Sequence, residues 1–105
     1  MVTYRIDAFK AIADPTRRAV LDYLLGAPHG VNELAGKFEV SRPAISKHLR
    51  VLLQARLVRA RWEGRERIYE IEPRPLAEVD NWLQEYRSAL RRSLTRLKAH
   101  IESNK

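Results

Sequence analysis

Residues 31–58 read VNELAGKFEVSRPAISKHLRVLLQARLV. The first eight place Val31, Leu34, Ala35 and Phe38 on one face at helical spacing. Glu39, Val40 and Ser41 break that period, and Ser41 is a good N-cap for a second helix. In the second helix Ile45, Leu49, Leu52 and Leu53 fall at i, i+4, i+7 and i+8, which makes one buried stripe. The opposite face carries Pro43, Ser46, Lys47, Arg50 and Gln54. A protein core does not take short hydroxyls and long cations, whereas a DNA major groove does. Two helices joined by a three-residue turn, the second polar outside, form a helix-turn-helix. The competing reading is a plain helical hairpin with a solvated outer face.

Charge placement separates the two. The chain has 105 residues, enough for one domain, with 20 Lys and Arg against 13 Asp and Glu. Of the net +7, residues 1–41 contribute nothing, residues 42–74 contribute +5 and residues 75–105 contribute +2. The excess begins at the second helix of the motif, which points to a polyanionic partner there. Cysteine is absent, which excludes disulfides, thiol switches and thiolate metal sites. No apolar run approaches the ~20 residues needed to span a bilayer, and no secretion signal opens the chain. A cytoplasmic protein is expected, with no membrane partner.

Outward from the motif, residues 4–12 place Ile6, Phe9 and Ile12 on one side of a short helix. Asp14 is a good N-cap, with Pro15 at the first helical position. That helix runs to Gly26, a suitable C-cap, and residues 27–30 read as a loop. Beyond the motif, Val58, Ala60 and Trp62 alternate with Arg59 and Arg61, a half-buried strand. Residues 63–66 turn the chain, and residues 67–71 return, with Tyr69 and Ile71 on one face. A hairpin tipped by Arg61, Arg65 and Arg67 directly after a helix-turn-helix reads as a wing whose arginines reach a minor groove. The alternative is a plain structural hairpin.

From Leu76 the pattern returns to helix. Leu76, Val79, Leu83, Tyr86, Leu90, Leu94, Leu97 and Ile101 form a near-heptad seam with one irregular step. A helix of that length spans roughly 40 Å, more than the small helical core before it can cover. Pairing with a second copy is expected. The fold class that follows is mainly α (α+β): a single winged helix-turn-helix domain over 1–105. Its helix-turn-helix covers about 31–55, a two-stranded β-wing about 58–72, and a long C-terminal dimerisation helix about 75–101.

Four stretches resemble the ArsR/SmtB family of bacterial winged-helix repressors. They are ADPTRR at 13–18, VNELA at 31–35, SRPAISKHL at 41–49, and Gly64-Arg65 followed by Tyr69. The resemblance runs from about Phe9 to the end of the chain. It implies a homodimer held by the first and last helices, with two recognition helices in successive major grooves. Pro73-Arg74-Pro75-Leu76 with Trp82-Leu83 looks like a cysteine-free branch, whose members often lie beside genes for START-like proteins and repress their own operon.

Two positions depart from the family pattern. Glu39 and Arg56 stand where glycine is usual, and a left-handed backbone there costs a non-glycine residue roughly 1 kcal/mol or more. The family's metal sites are not matched. The positions of its Cys-x-Cys are Ala35 and Lys37, and those of its last-helix site are Asp80, Trp82, Ser93 and Arg96. No metal and no cofactor is expected. For His48, at the edge of the buried stripe, a structural hydrogen bond and a phosphate contact are both open.

These readings converge on a sequence-specific DNA-binding regulator, a homodimeric repressor of a palindromic operator. Its partners would be double-stranded DNA and a second copy, and nothing identifies an inducer. The DNA-contacting residues would be Arg42, Pro43, Ser46, Lys47 and Arg50 in the helix, with Arg61, Arg65 and Arg67 in the wing. Ile6, Phe9, Leu83, Tyr86, Leu90, Leu94 and Leu97 would hold the dimer. The alternative is a winged-helix protein–protein module without DNA readout. The outer face of the second helix lacks the aromatics such a surface would want. No nucleophile–base pair, phosphate loop or carboxylate pair supports an enzyme.

Overall fold

The computed structural model describes residues 6–103. Tyr4 and Arg5, the start of the expected first helix, lie outside the described residues. The elements run α1 (Ala8–Ala11), α2 (Pro15–Leu24), β1 (His29–Gly30), α3 (Val31–Lys37), α4 (Arg42–Gln54), β2 (Val58–Glu63), β3 (Glu66–Ile71) and α5 (Leu76–Ser103).

Local chemistry opens α2 and α4 where the sequence places their starts, whereas α1 begins only at Ala8, after Asp7, whose carboxylate accepts from the Lys10 N–H at 2.9 Å. Asp14 accepts from the Arg17 backbone N–H at 3.0 Å, and Pro15 follows at the first turn of α2. Ser41 Oγ accepts from the Ala44 N–H at 3.2 Å and opens α4. Such caps satisfy donors that the first turn leaves without partners, worth about 1 kcal/mol each. The end of α2 differs from expectation. It closes on Leu25, in right-handed helical conformation, whose N–H reaches both Leu21 and Asp22 carbonyls. Gly26 has no positive φ, so it is not the left-handed cap expected of it.

Residues 29–30 also differ. They are not loop: His29 pairs with Tyr69 and Gly30 with Ile68, adding a short antiparallel strand to the wing. The sheet is therefore three-stranded, in the order β1-β3-β2. In the hairpin itself Val58 lies opposite Ile71 and Glu63 opposite Glu66, with a two-residue turn between. Gly64 takes φ +64 at the first turn position, where a two-residue loop that matches strand twist needs a positive angle.

The core lies between the helices and the base of the sheet. Val20, Leu24, Leu34, Ile45, Leu49, Leu52 and Leu57 are fully buried within it. The α4 stripe is thus the side that anchors the recognition helix, with Leu53 half-buried at its margin. In α1 the buried residues are Ala8 and Ala11, while Phe9 within it, Ile6 before it and Ile12 at its C-cap are only half-buried. Phe9 meets Trp82 of α5 edge-on, with ring centroids 5.7 Å apart.

Both departures from the family pattern fall on left-handed backbone. Glu39 has φ 52 and Arg56 has φ 61. The Leu57 N–H bonds to the Leu52 carbonyl and the Arg56 N–H to Leu53, each at 3.0 Å. Val40 likewise reaches back to Ala35 at 3.4 Å. These are the bonds of a Schellman ending, which requires a left-handed residue just past the helix. The turn geometry is kept and the two side chains bear the strain. Replacing Arg56 by Gly is expected to stabilise the protein by about 0.5–1 kcal/mol, the relief being partly offset by a more flexible unfolded chain. A lowered thermal midpoint would show that the Arg56 side chain contributes more than its backbone costs.

Helix α5 has 28 residues, or about 42 Å, and none of them is buried. Leu76 and Val79 pack on the core. Trp82, Tyr86, Leu90, Leu94, Leu97 and Ile101 are each 55–59% exposed.

Candidate nucleic-acid interface

Helix α4 turns its polar face outward. Arg42, Pro43, Lys47, Arg50 and Gln54 are exposed and Ser46 is half-buried. The first turn holds Arg42 and Pro43 immediately after the Ser41 cap, at the positive end of the helix dipole. Among the described residues, Arg42, Lys47 and Arg50 have no acidic side chain as a partner. Their charge is therefore available to an external anion.

The helix is aimed by a contact that composition does not reveal. Arg17, on α2, donates from Nε to the Ala11 carbonyl at 2.7 Å and from Nη2 to Lys10 at 3.2 Å. Its Nη1 lies 3.4 Å from Nδ1 of His48 on α4. With Arg17 donating, that ring nitrogen carries the lone pair. Asp14 Oδ2 stands 3.8 Å from the same nitrogen. Arg17 thus ties the last turn of α1 to the middle of the recognition helix. The hydrogen bond from the Arg17 backbone N–H holds the Asp14 carboxyl below its usual range, against the opposing effect of desolvation, and the Arg17 charge acts in the same direction as the hydrogen bond. The structural alternative for His48 is the one its Nδ1 occupies. Arg17 was legible in principle. It stands at i to Val20, Leu21 and Leu24 at i+3, i+4 and i+7, on the inward face of α2.

The wing sorts its cations into two sets. Arg59 reaches Glu70 at 2.9 Å and Glu72 at 3.8 Å, and Arg61 reaches Glu70 at 3.2 Å and Glu63 at 3.6 Å. Arg65, at the turn, is exposed and has no acidic partner among the described residues. Arg67 stacks over Trp62, 5.1 Å from the ring centroid. The cationic surplus of residues 42–74 is therefore concentrated on the outer face of α4 and at the wing tip.

Other polar groups are engaged in structure. Glu33 Oε2 accepts from the Tyr23 hydroxyl at 2.6 Å and lies 2.5 Å from His29 Nδ1, and Tyr23 stacks on His29. The bond to Glu33 pushes the Tyr23 phenol up from its ordinary value. This cluster ties α2, β1 and α3 together. Among the described residues no three His, Asp or Glu side chains come together as a metal site would require. Among the described residues no helix is long and apolar enough to cross a membrane.

A helix-turn-helix with free cations along its second helix, followed by a basic hairpin, defines a winged-helix DNA-binding protein. Comparison with known proteins places it more narrowly. Residues 14–60 match the family model of bacterial regulatory proteins of the arsR family. The HTH-type transcriptional regulator Rv2034 of Mycobacterium tuberculosis is 49% identical over 79 residues, covering 73% of this chain and 74% of that protein. The transcriptional repressor SdpR of Bacillus subtilis is 38% identical over 77 residues, covering 73% and 86%. A crystal structure of an ArsR family transcriptional regulator superposes with TM-score 0.69 at 40% identity, covering 79% of this chain and 91% of that one. Another, of a possible transcriptional regulator for arsenical resistance, gives TM-score 0.70 at 41% identity, covering 76% and 83%. The chain belongs to the ArsR family, and it is a DNA-binding transcriptional regulator, not an enzyme.

Proposed function

We propose that this chain is a homodimeric cytoplasmic repressor, one winged-helix domain per subunit, that binds a pseudo-palindromic operator. The observation that carries the reading is the pairing of two unmet surfaces in one chain. One is the row of unpaired cations on α4, and the other is the bare apolar seam of α5. The first needs an anion and the second needs a copy of itself. Symmetric pairing of α5, with Ile6 just before α1 and Phe9 within it alongside, buries Leu83, Tyr86, Leu90, Leu94 and Leu97. It sets two α4 helices in a fixed relation, with half-site centres about one or two helical turns apart. The repressor sense is supported by SdpR, a named repressor of the same family.

Roles within the helix follow from position. Arg42, in the first turn with Pro43 and Ser46, reads base edges. Lys47 and Arg50, further along, meet phosphates. In the wing Arg65 and Arg67 are ready to meet DNA. Arg61 must first release Glu70 and Glu63, at a cost of about 1 kcal/mol or less for exposed pairs. Selection of duplexes from a random pool would reveal the operator and its symmetry. Arg42→Ala is then expected to lose about 1–3 kcal/mol of discrimination between operator and random DNA per half-site. Competition binding checks this, and equal weakening on both DNAs would remove Arg42 from base readout.

A further inference from the structure

The two faces of the wing end differently at its tip. On the outer face Arg59 and Arg61 of β2 are held by Glu70, Glu72 and Glu63. On the other face the strand register sets Val58 opposite Ile71, Ala60 opposite Tyr69 and Trp62 opposite Arg67. Burial fades along this second face. Val58 and Tyr69 are buried, Ala60 and Ile71 are half-buried, and Trp62 is 64% exposed. Outside α5 only Leu25 among the described residues is a comparably exposed large hydrophobe. The indole is therefore a continuation of the core-facing side of the sheet, carried past the end of the core. Arg67 covers one face of it, with its guanidinium 5.1 Å from the ring centroid. That arrangement holds a cation beside an apolar plate without neutralising it. Arg65 and Gly64 complete the tip.

We infer that Trp62 and Arg67 form the contact plate of the wing on DNA, with the indole against deoxyribose at the minor-groove wall and the guanidinium on the adjoining phosphate. This rests on the DNA-binding reading and deepens it. Double-stranded DNA is the occupant that the charges select. The unpaired cations near the indole are Arg65 and Arg67, and a second copy of this basic chain would bring like charge to the same place. The apolar seam suited to a second copy is on α5, a separate element. Sugar edges are apolar and lie beside phosphates, which matches an indole covered on one face by the Arg67 guanidinium. On this geometry the ion-paired Arg61 is a secondary contact and Trp62 a primary one.

The chain has two tryptophans, Trp62 and Trp82, so Trp82→Phe leaves Trp62 as the only indole reporter. The probe is an about 30-base-pair duplex recovered from the random-pool selection, since a wing contact needs flanks beyond the half-sites. Trp62 emission is expected to change on saturation with the duplex. Trp62→Ala is expected to weaken binding about tenfold while leaving the salt slope unchanged, because no charge is lost. Trp62→Phe should keep most of the affinity. Arg67→Ala should weaken binding and reduce the salt slope by about 1 per subunit. If Trp82→Phe fails to fold, the emission change of the natural chain is compared with that of Trp62→Phe, where it should disappear. A natural chain that binds the duplex while Trp62 stays silent and Trp62→Ala binds undiminished overturns this inference alone. A natural chain that binds no duplex overturns the proposed function with it.

Discussion

Leu94→Ala is expected to convert the protein from dimer to monomer at micromolar concentration and to remove operator binding with it. In a single chain Leu94 is 56% exposed, and no residue of α5 is buried. Truncation there removes little from the chain's own core, so its cost falls on whatever covers the seam. For a position fully buried between two subunits the cost is about 2–5 kcal/mol. Symmetry counts it twice, giving about 4–10 kcal/mol per dimer, or at least roughly a thousandfold in dissociation constant. Leu90, 59% exposed and one turn earlier, should behave alike. Sedimentation of the natural and variant chains measures the first effect, and operator titration measures the second. A natural chain that sediments as a monomer and still binds operator tightly would assign α5 to another purpose. So would a Leu94→Ala dimer of undiminished stability.

The second large effect is that of salt. Among the described residues, each chain carries on the proposed DNA face four cations with neither an acidic partner nor a ring beneath them, Arg42, Lys47, Arg50 and Arg65. A dimer doubles these to about eight, before Arg67 is counted. Neutralising 6–10 phosphates releases their counterions, so affinity should fall roughly 10³–10⁵-fold between 50 and 200 mM salt. The pairs of Arg59 and Arg61 with wing glutamates matter to this number. They keep those arginines from adding fully to the slope. A flat titration across that range would rule out a phosphate-dominated contact and, with it, the assignment of the α4 cations.

Much of this arrangement is local, and what is local is legible in the chain. Asp14 before Pro15, and Ser41 before Arg42 and Pro43, mark helix starts because a cap acts on N–H groups two or three residues away. The inward stripe of α4 and the seam of α5 follow from the helical period alone, as does the alternation of the wing. The polar face of α4 was equally plain, since it is the complement of the stripe. Glu39 and Arg56 were visible as misfits because a left-handed ending leaves a glycine-shaped mark in the pattern, and both do carry positive φ.

Other features needed the folded chain. The strand at 29–30 is two residues long and has no period to read. It exists because β3, some forty residues away, offers its free edge to His29 and Gly30. Gly26 looked like a cap, but α2 ends on Leu25 without a left-handed residue, since the adjoining turn can take its carbonyls in right-handed form. Counting arginines could not separate Arg61 from Arg65. Only the register that sets Arg61 diagonally across from Glu70 does so. Nor could it show that Arg17 holds Ala11 and Lys10 and approaches His48, which joins three helices at one guanidinium. Sequence alone determined the helices, their faces and where the charge is concentrated, because caps and periods act over a few residues. Tertiary structure decided which charges are paired inside the fold and which are left without an acidic partner, because ion pairing and stacking depend on neighbours that only folding brings together.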